Sequence, residues 1–134
     1  MSEVSHPTCV FCALDERRVF LRESSVAAVW DGFPVSSGHA LLIPTRHVPN
    51  WFEATTEEKM ALVMAIDRAK RIIDRQYQPD GYNIGINCGS AAGQTVFHLH
   101  VHLIPRYRGD VTDPRGGVRY VIPSKANYSG DGLP

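Results

Sequence analysis

The sequence predicts an α+β domain, and three observations carry that prediction. Short apolar strand patterns open the chain, one long amphipathic helix follows behind a capping box, and a glycine-containing turn then joins two further strand patterns. With 134 residues, 43% of them apolar, the chain is one domain in size and can bury a core without disulfide staples. Residues 19–22 and 26–30 form two short strands around the turn Glu23-Ser24-Ser25, and a longer turn from Asp31 to Gly38 leads into a third strand over 39–43. Thr55 and Glu58 have the spacing of a capping box, and Leu62, Ile66, Ala69 and Ile73 recur at helical intervals behind them as far as about Tyr77. Arg68, Lys70, Arg71 and Arg75 occupy the second half of that helix, where its dipole favours cations, and Pro79-Asp80-Gly81 ends it. Strands over 82–88 and 96–104 then form an antiparallel hairpin around the turn 89–93. Beyond Pro105 no periodicity survives, and residues 106–134 read as an extended tail.

Fourteen basic residues balance fourteen acidic ones, which excludes binding to nucleic acid or a membrane surface through bulk charge. The start carries neither a basic leader nor an apolar core segment, and the apolar runs are too short to span a bilayer, so a soluble cytoplasmic protein is expected. Three cysteines is an odd count. Two of them form Cys9-Val10-Phe11-Cys12, which in a reducing compartment points to metal binding or redox chemistry rather than a disulfide framework.

The densest signal is Phe97-His98-Leu99-His100-Val101-His102-Leu103-Ile104. Alternation along a strand lines three imidazoles on one side and Leu99, Val101 and Leu103 on the other. The apolar side supplies core, but three histidines have no packing advantage over threonine or glutamine. Either they form a metal site, or they act as nucleophile and phosphate contacts. Asn87, Gly89, Gly93, Gln94 and Thr95 precede them as a glycine-containing turn whose amide and hydroxyl groups suit phosphate oxygens.

From Gly93 to Ile104 the sequence resembles the histidine-triad nucleotide-binding family, whose signature is His-x-His-x-His followed by apolar positions. Gly38-His39-Ala40-Leu41-Leu42-Ile43-Pro44 with His47 is similar to the family's second block, and the Cys9/Cys12 pair to the N-terminal segment of its zinc-containing members. The resemblance implies a five-stranded antiparallel sheet with one short and one long helix, paired as a homodimer. Its domain would be residues 1–108, with 109–134 a tail that joins the dimer or the substrate site; Tyr107 stands just before that tail and Tyr120 and Tyr128 within it, with several arginines near them.

By the same resemblance His100 is the nucleophile that attacks the α-phosphate of an adenylated substrate, His102 contacts the phosphate and His39 supports the nucleophile. Gln94, Thr95 and Asn87 bind phosphate or leaving-group oxygens, Asp31 accepts from the ribose hydroxyls, and Phe11, Leu14 and Leu41 line the base pocket. Cys9, Cys12, His47 and His98 hold one structural zinc per chain, with His6 a substitute ligand. Ile104-Pro105-Arg106 is similar to the dinucleoside-polyphosphate hydrolase branch, while the Gly-Gln-Thr turn is compatible with the adenosine-phosphoramidase branch. Two other readings stand beside these: a zinc-dependent hydrolase using His98, His100 and His102 together, and a nucleotide-binding module without catalysis.

Overall fold

Val26 to Val29 carry no polar side chain toward either face, so the strand they build must be covered on both sides. In the computed structural model, which describes residues 8–127, that strand is β2 (Val26–Trp30), and β3 (Ala40–Pro44) beside it is buried along its whole length. With β1 (Val19–Arg22), β4 (Gly81–Gly85) and β5 (Val101–Arg106) they form a five-stranded antiparallel sheet in the order β1-β2-β3-β5-β4. The long helix is α1 (Thr56–Tyr77). Thr55 and Glu58 close the capping box reciprocally, and Gln78 ends the helix in the left-handed region at φ 51°. The short helix implied by the resemblance is a single 3-10 turn, Glu16–Arg18, started by the Asp15 carboxylate accepting from the Arg17 N–H.

The helix covers one face of the sheet. Leu62, Ala65, Ala69 and Ile73 pack on Val26, Ala28, Ala40, Leu42 and Leu103, and full burial of each large aliphatic chain contributes roughly 1.5–3 kcal/mol. Arg68, just past the middle of the helix, turns to Glu23 in the β1–β2 turn, so its partner is a carboxylate rather than the helix dipole. On the opposite face, the N-terminal segment lays Phe11 and Leu14, with Val19, over Val29, Leu41 and Ile43. β5 divides its residues between the two faces: Val101, Leu103 and Pro105 are buried, while His102, Ile104 and Arg106 lie half-buried on the face away from the helix.

Two sequence expectations need correcting. The hairpin strands are shorter and shifted: β4 and β5 pair only from Gly81↔Arg106 to Gly85↔His102, not over 82–88 and 96–104. Residues 86–100 leave the ladder because their donors go elsewhere, the Leu99 N–H to the Val48 carbonyl and the Gln94 amide to the Pro49 carbonyl. Extended backbone still alternates there, so Leu99 remains core. Nor is the tail merely extended as far as it is described. Gly116 and Gly117, at φ 99° and 47°, reverse the chain into 3-10 turns at Gly117–Val121 and Pro123–Lys125. Arg119 donates to the Lys125 and Ala126 carbonyls, and Ala126 is buried. A Cβ on Gly116 would come within 2.8 Å of the Ala126 carbonyl oxygen, so glycine is required at this reversal.

Candidate functional site

The site is assembled on the segment that leaves β3. Pro44, Val48 and Pro49 offer backbone carbonyls to the histidine segment: Pro44 to His98 Nε2 at 2.8 Å, Val48 to the Leu99 N–H at 2.7 Å and Pro49 to Gln94 Nε2 at 2.6 Å. Arg46 ties this segment to the start of α1 through paired bonds of 2.8 and 2.9 Å to Glu58. Chiefly the Arg46 guanidinium holds the Glu58 carboxyl below the usual carboxylate range. The capping-box spacing marked Glu58 for the helix alone, and nothing in the sequence linked it to Arg46.

Backbone partners set the proton positions on the histidines. A carbonyl only accepts, so His98 carries its proton on Nε2 toward Pro44 and leaves the Nδ1 lone pair facing Cys9 Sγ at 3.5 Å and Cys12 Sγ at 3.6 Å. His47 Nδ1 lies 3.1 Å from Cys12 Sγ. The four donor atoms fall within 4.8 Å of one another. Two thiols and two imidazoles at separations near the roughly 3.5 Å edge of a tetrahedral zinc site fit that ion, and all four expected metal residues are brought together.

His100 is oriented in the opposite sense. Its Nδ1 donates to the His98 carbonyl at 2.8 Å, which places the lone pair of the uncharged tautomer on Nε2. Phe11 packs against this ring with centroids 4.9 Å apart, and the His102 ring centroid lies 5.3 Å away. His39 accepts the Val35 N–H on Nδ1 at 3.1 Å, which puts its own proton on Nε2, 3.0 Å from His102 Nδ1 and 3.3 Å from Asp31 Oδ2. His102 therefore accepts on Nδ1 and carries its proton on Nε2. Burial pushes the His102 ring down to about 4, with the neighbouring His100 and His39 adding to the shift and Asp31 opposing it. His39 is lowered by burial too, against the pull of Asp31. Both rings are neutral at pH 7.

Asp31, His39 and His102 also converge within 4.8 Å. They form a hydrogen-bond chain: a metal at His39 Nε2 would need the proton moved to Nδ1, where the Val35 N–H already points. The Val35 N–H is a functional group that no side-chain pattern announces. His39 meets His102, not the nucleophile candidate His100. His98, His100 and His102 direct their nitrogens to three different places and share no metal position, which removes the three-histidine zinc hydrolase reading.

Phe11, Leu14 and Leu41 meet in one apolar cluster with Val19, Val29 and Ile43. Asn87 is half-buried and Thr95 exposed, at the two ends of the loop that precedes the histidines. Gln94 differs. It is 3% exposed and spends its amide on the backbone, accepting from the Gly89 N–H and donating to Pro49 and Val96, so it holds the loop's shape. His6 and Tyr128 lie outside the described residues.

An open antiparallel sheet carrying alternating imidazoles, one bonded to its own strand's carbonyl and the next to His39, defines the histidine-triad class of α+β proteins. The HIT domain family model matches residues 15–109, and the chain belongs to that family. It is 37% identical over 108 residues to "Protein hit" of Bacillus subtilis, covering 76% of this chain and 74% of that one. It is 38% identical over 96 residues to the asymmetrical bis(5'-nucleosyl)-tetraphosphatase of Schizosaccharomyces pombe, covering 72% of this chain but only 53% of that enzyme. Among solved structures, a Zn-bound histidine triad family protein from Mycobacterium smegmatis superposes with a TM-score of 0.72 at 32% identity, covering 79% of this chain and 80% of that one. No helix among the described residues is long and apolar enough to cross a membrane.

Proposed function

We propose that this chain hydrolyses or transfers the nucleotidyl group of adenylated substrates, diadenosine polyphosphates or AMP–amine conjugates, with His100 as the nucleophile. The observation that carries this reading is the bond from His100 Nδ1 to its own strand's carbonyl, which assigns the tautomer in which the lone pair lies on Nε2. Nε2 attacks the α-phosphorus, the bond from phosphorus to the leaving oxygen or nitrogen breaks, and the leaving atom takes its proton from solvent. The positive charge on the nucleotidyl-imidazole is shared through Nδ1–H with the His98 carbonyl. Water then attacks phosphorus, the P–N bond returns its pair to Nε2, and AMP is released with a proton. His102 Nε2–H, Thr95 and Asn87 donate to the phosphate oxygens. Asp31 takes the ribose hydroxyls, and the base rests on Phe11, Leu14 and Leu41. Gln94 and His39 act at one remove, the first by shaping the loop and the second by orienting His102.

Cys9, Cys12, His47 and His98 would hold one zinc per chain, a closed set that supplies cross-linking rather than chemistry. The protein works as a homodimer: β4 lies at the sheet edge, and Met60, Val63 and Met64 form an exposed apolar stripe at helical spacing on α1. Light scattering at micromolar concentration then returns twice the chain mass, and a single-chain mass removes the dimer.

The nucleophile is tested by His100→Asn. Turnover of every adenylated substrate falls by about three orders of magnitude or more while AMP affinity changes little, and quenched wild-type reactions carry a nucleotidyl adduct on His100. Near-wild-type turnover in the variant overturns the mechanism and leaves nucleotide binding without catalysis as the reading to pursue.

A further inference from the structure

Burial of apolar side chains does not hold the loop between β2 and β3, where Phe33 and Val35 are 91% and 72% exposed. Hydrogen bonds set its position instead. Within the loop the Phe33 N–H donates to Asp31 Oδ1 at 2.7 Å, the His39 N–H to the Ser36 carbonyl at 3.2 Å, and the Val35 N–H to His39 Nδ1 at 3.1 Å. Gly38, at φ 88°, closes the turn against the end of α1, where a Cβ would come within 2.8 Å of the Tyr77 ring. Two side chains then tie the loop to the end of β5. β3 pairs with β5 only as far as Ala40↔Leu103; past that point Ser36 Oγ donates to the Pro105 carbonyl at 2.7 Å and Tyr107 Oη to the Ser37 carbonyl at 2.6 Å. Both hydroxyls end on backbone carbonyls, so their influence on the histidines passes through the loop.

That influence has a direction. With the Val35 N–H behind it, His39 keeps its lone pair on Nδ1 and its proton on Nε2, 3.0 Å from His102 Nδ1, and His102 then carries its own proton on Nε2. Withdrawing the Val35 N–H opens His39 Nδ1 to a proton. A shift of the proton from Nε2 to Nδ1 turns the bond between the two rings around: His102 donates from Nδ1 and presents a lone pair on Nε2. A phosphate oxygen is attracted by an N–H and repelled by a lone pair.

We propose that Ser36 and Tyr107 are positioning residues for His102: by holding the Val35 N–H behind His39 they keep the His39 proton on Nε2, so that His102 presents an N–H to the phosphate. This rests on His102 contacting the phosphate in the reading above. The test uses the full chain, a Ser36→Ala, Tyr107→Phe double variant that adds no bulk, and Val35→Pro, which removes the N–H itself. Imidazole ¹⁵N spectra near neutral pH show His39 Nδ1 without a proton in wild type and moved toward a protonated nitrogen in the double variant. The dissociation constant of AMP rises by about fivefold in the double variant, while that of adenosine, which has no phosphate, changes little. Val35→Pro gives the larger change in both readouts, and the double variant decides alone if that protein does not fold. An unmoved His39 resonance in the double variant, a wild-type proton on Nδ1, or equal weakening of AMP and adenosine overturns the positioning role and leaves the proposed reaction in place. A moved resonance with AMP affinity unchanged overturns the phosphate contact of His102, and the proposal with it.

Discussion

The two ends of the histidine row look alike by composition and differ in what they can hold. At one end Cys9, Cys12, His47 and His98 gather four donor atoms within 4.8 Å; at the other Asp31, His39 and His102 gather three within the same span. The distinction lies in the far nitrogen of each ring. A carbonyl behind His98 makes its inward nitrogen a lone pair, whereas an N–H behind His39 makes its inward nitrogen a donor. The first end is prepared for a cation and the second for a chain of hydrogen bonds from Asp31 and His39 to His102. His100 stands between them, and the His98 carbonyl serves it as the Pro44 carbonyl serves His98.

Removing the thiols gives the largest expected effect on this contrast. In a Cys9→Ser, Cys12→Ser protein, zinc falls from about one equivalent to near zero and the unfolding midpoint drops by on the order of 10 °C, because metal binding at a closed site is part of folding stability. Metal analysis after dialysis against micromolar zinc is the sharper readout. One equivalent retained by the double variant would mean that the Asp31 end takes the ion, and the distinction drawn from ring tautomers would fail.

Acid gives a smaller effect, from the opposite end. His102 titrates near 4 in the fold against the usual 6.5, so between those values the unfolded chain binds more protons than the folded one. Stability therefore falls as pH drops from 6.5 toward 4 and levels off below, and His39 acts in the same direction. His102→Gln lacks the larger contribution. Urea midpoints at pH 7 and pH 5 should fall further for wild type than for the variant, with the metal end common to both. Equal losses would show that His102 is not held neutral by the fold.

Much of this was legible from the chain alone, for reasons local to each feature. The capping box at Thr55 and Glu58, the helical spacing through Ile73 and the all-apolar β2 report structure within a few residues of themselves. The ends of β4 and β5 were less legible, since residues 86–100 trade strand pairing for bonds to the segment after β3, about fifty positions away in sequence. Gln94 shows the limit clearly. Its place before the signature marks it as a phosphate contact, yet its amide is spent on carbonyls at Pro49 and Val96.

The sequence by itself determined the order of strands and helix, the row of alternating imidazoles, the family and the residue types that meet at the site, because period, capping and spacing are local properties. Tertiary structure alone decided which nitrogen of each histidine is a lone pair and which a donor. That choice belongs to the backbone group brought behind each ring, the Pro44 and His98 carbonyls and the Val35 N–H. Every residue except proline carries such an N–H and every residue such a carbonyl, so no pattern of side chains can say which one the fold will deliver.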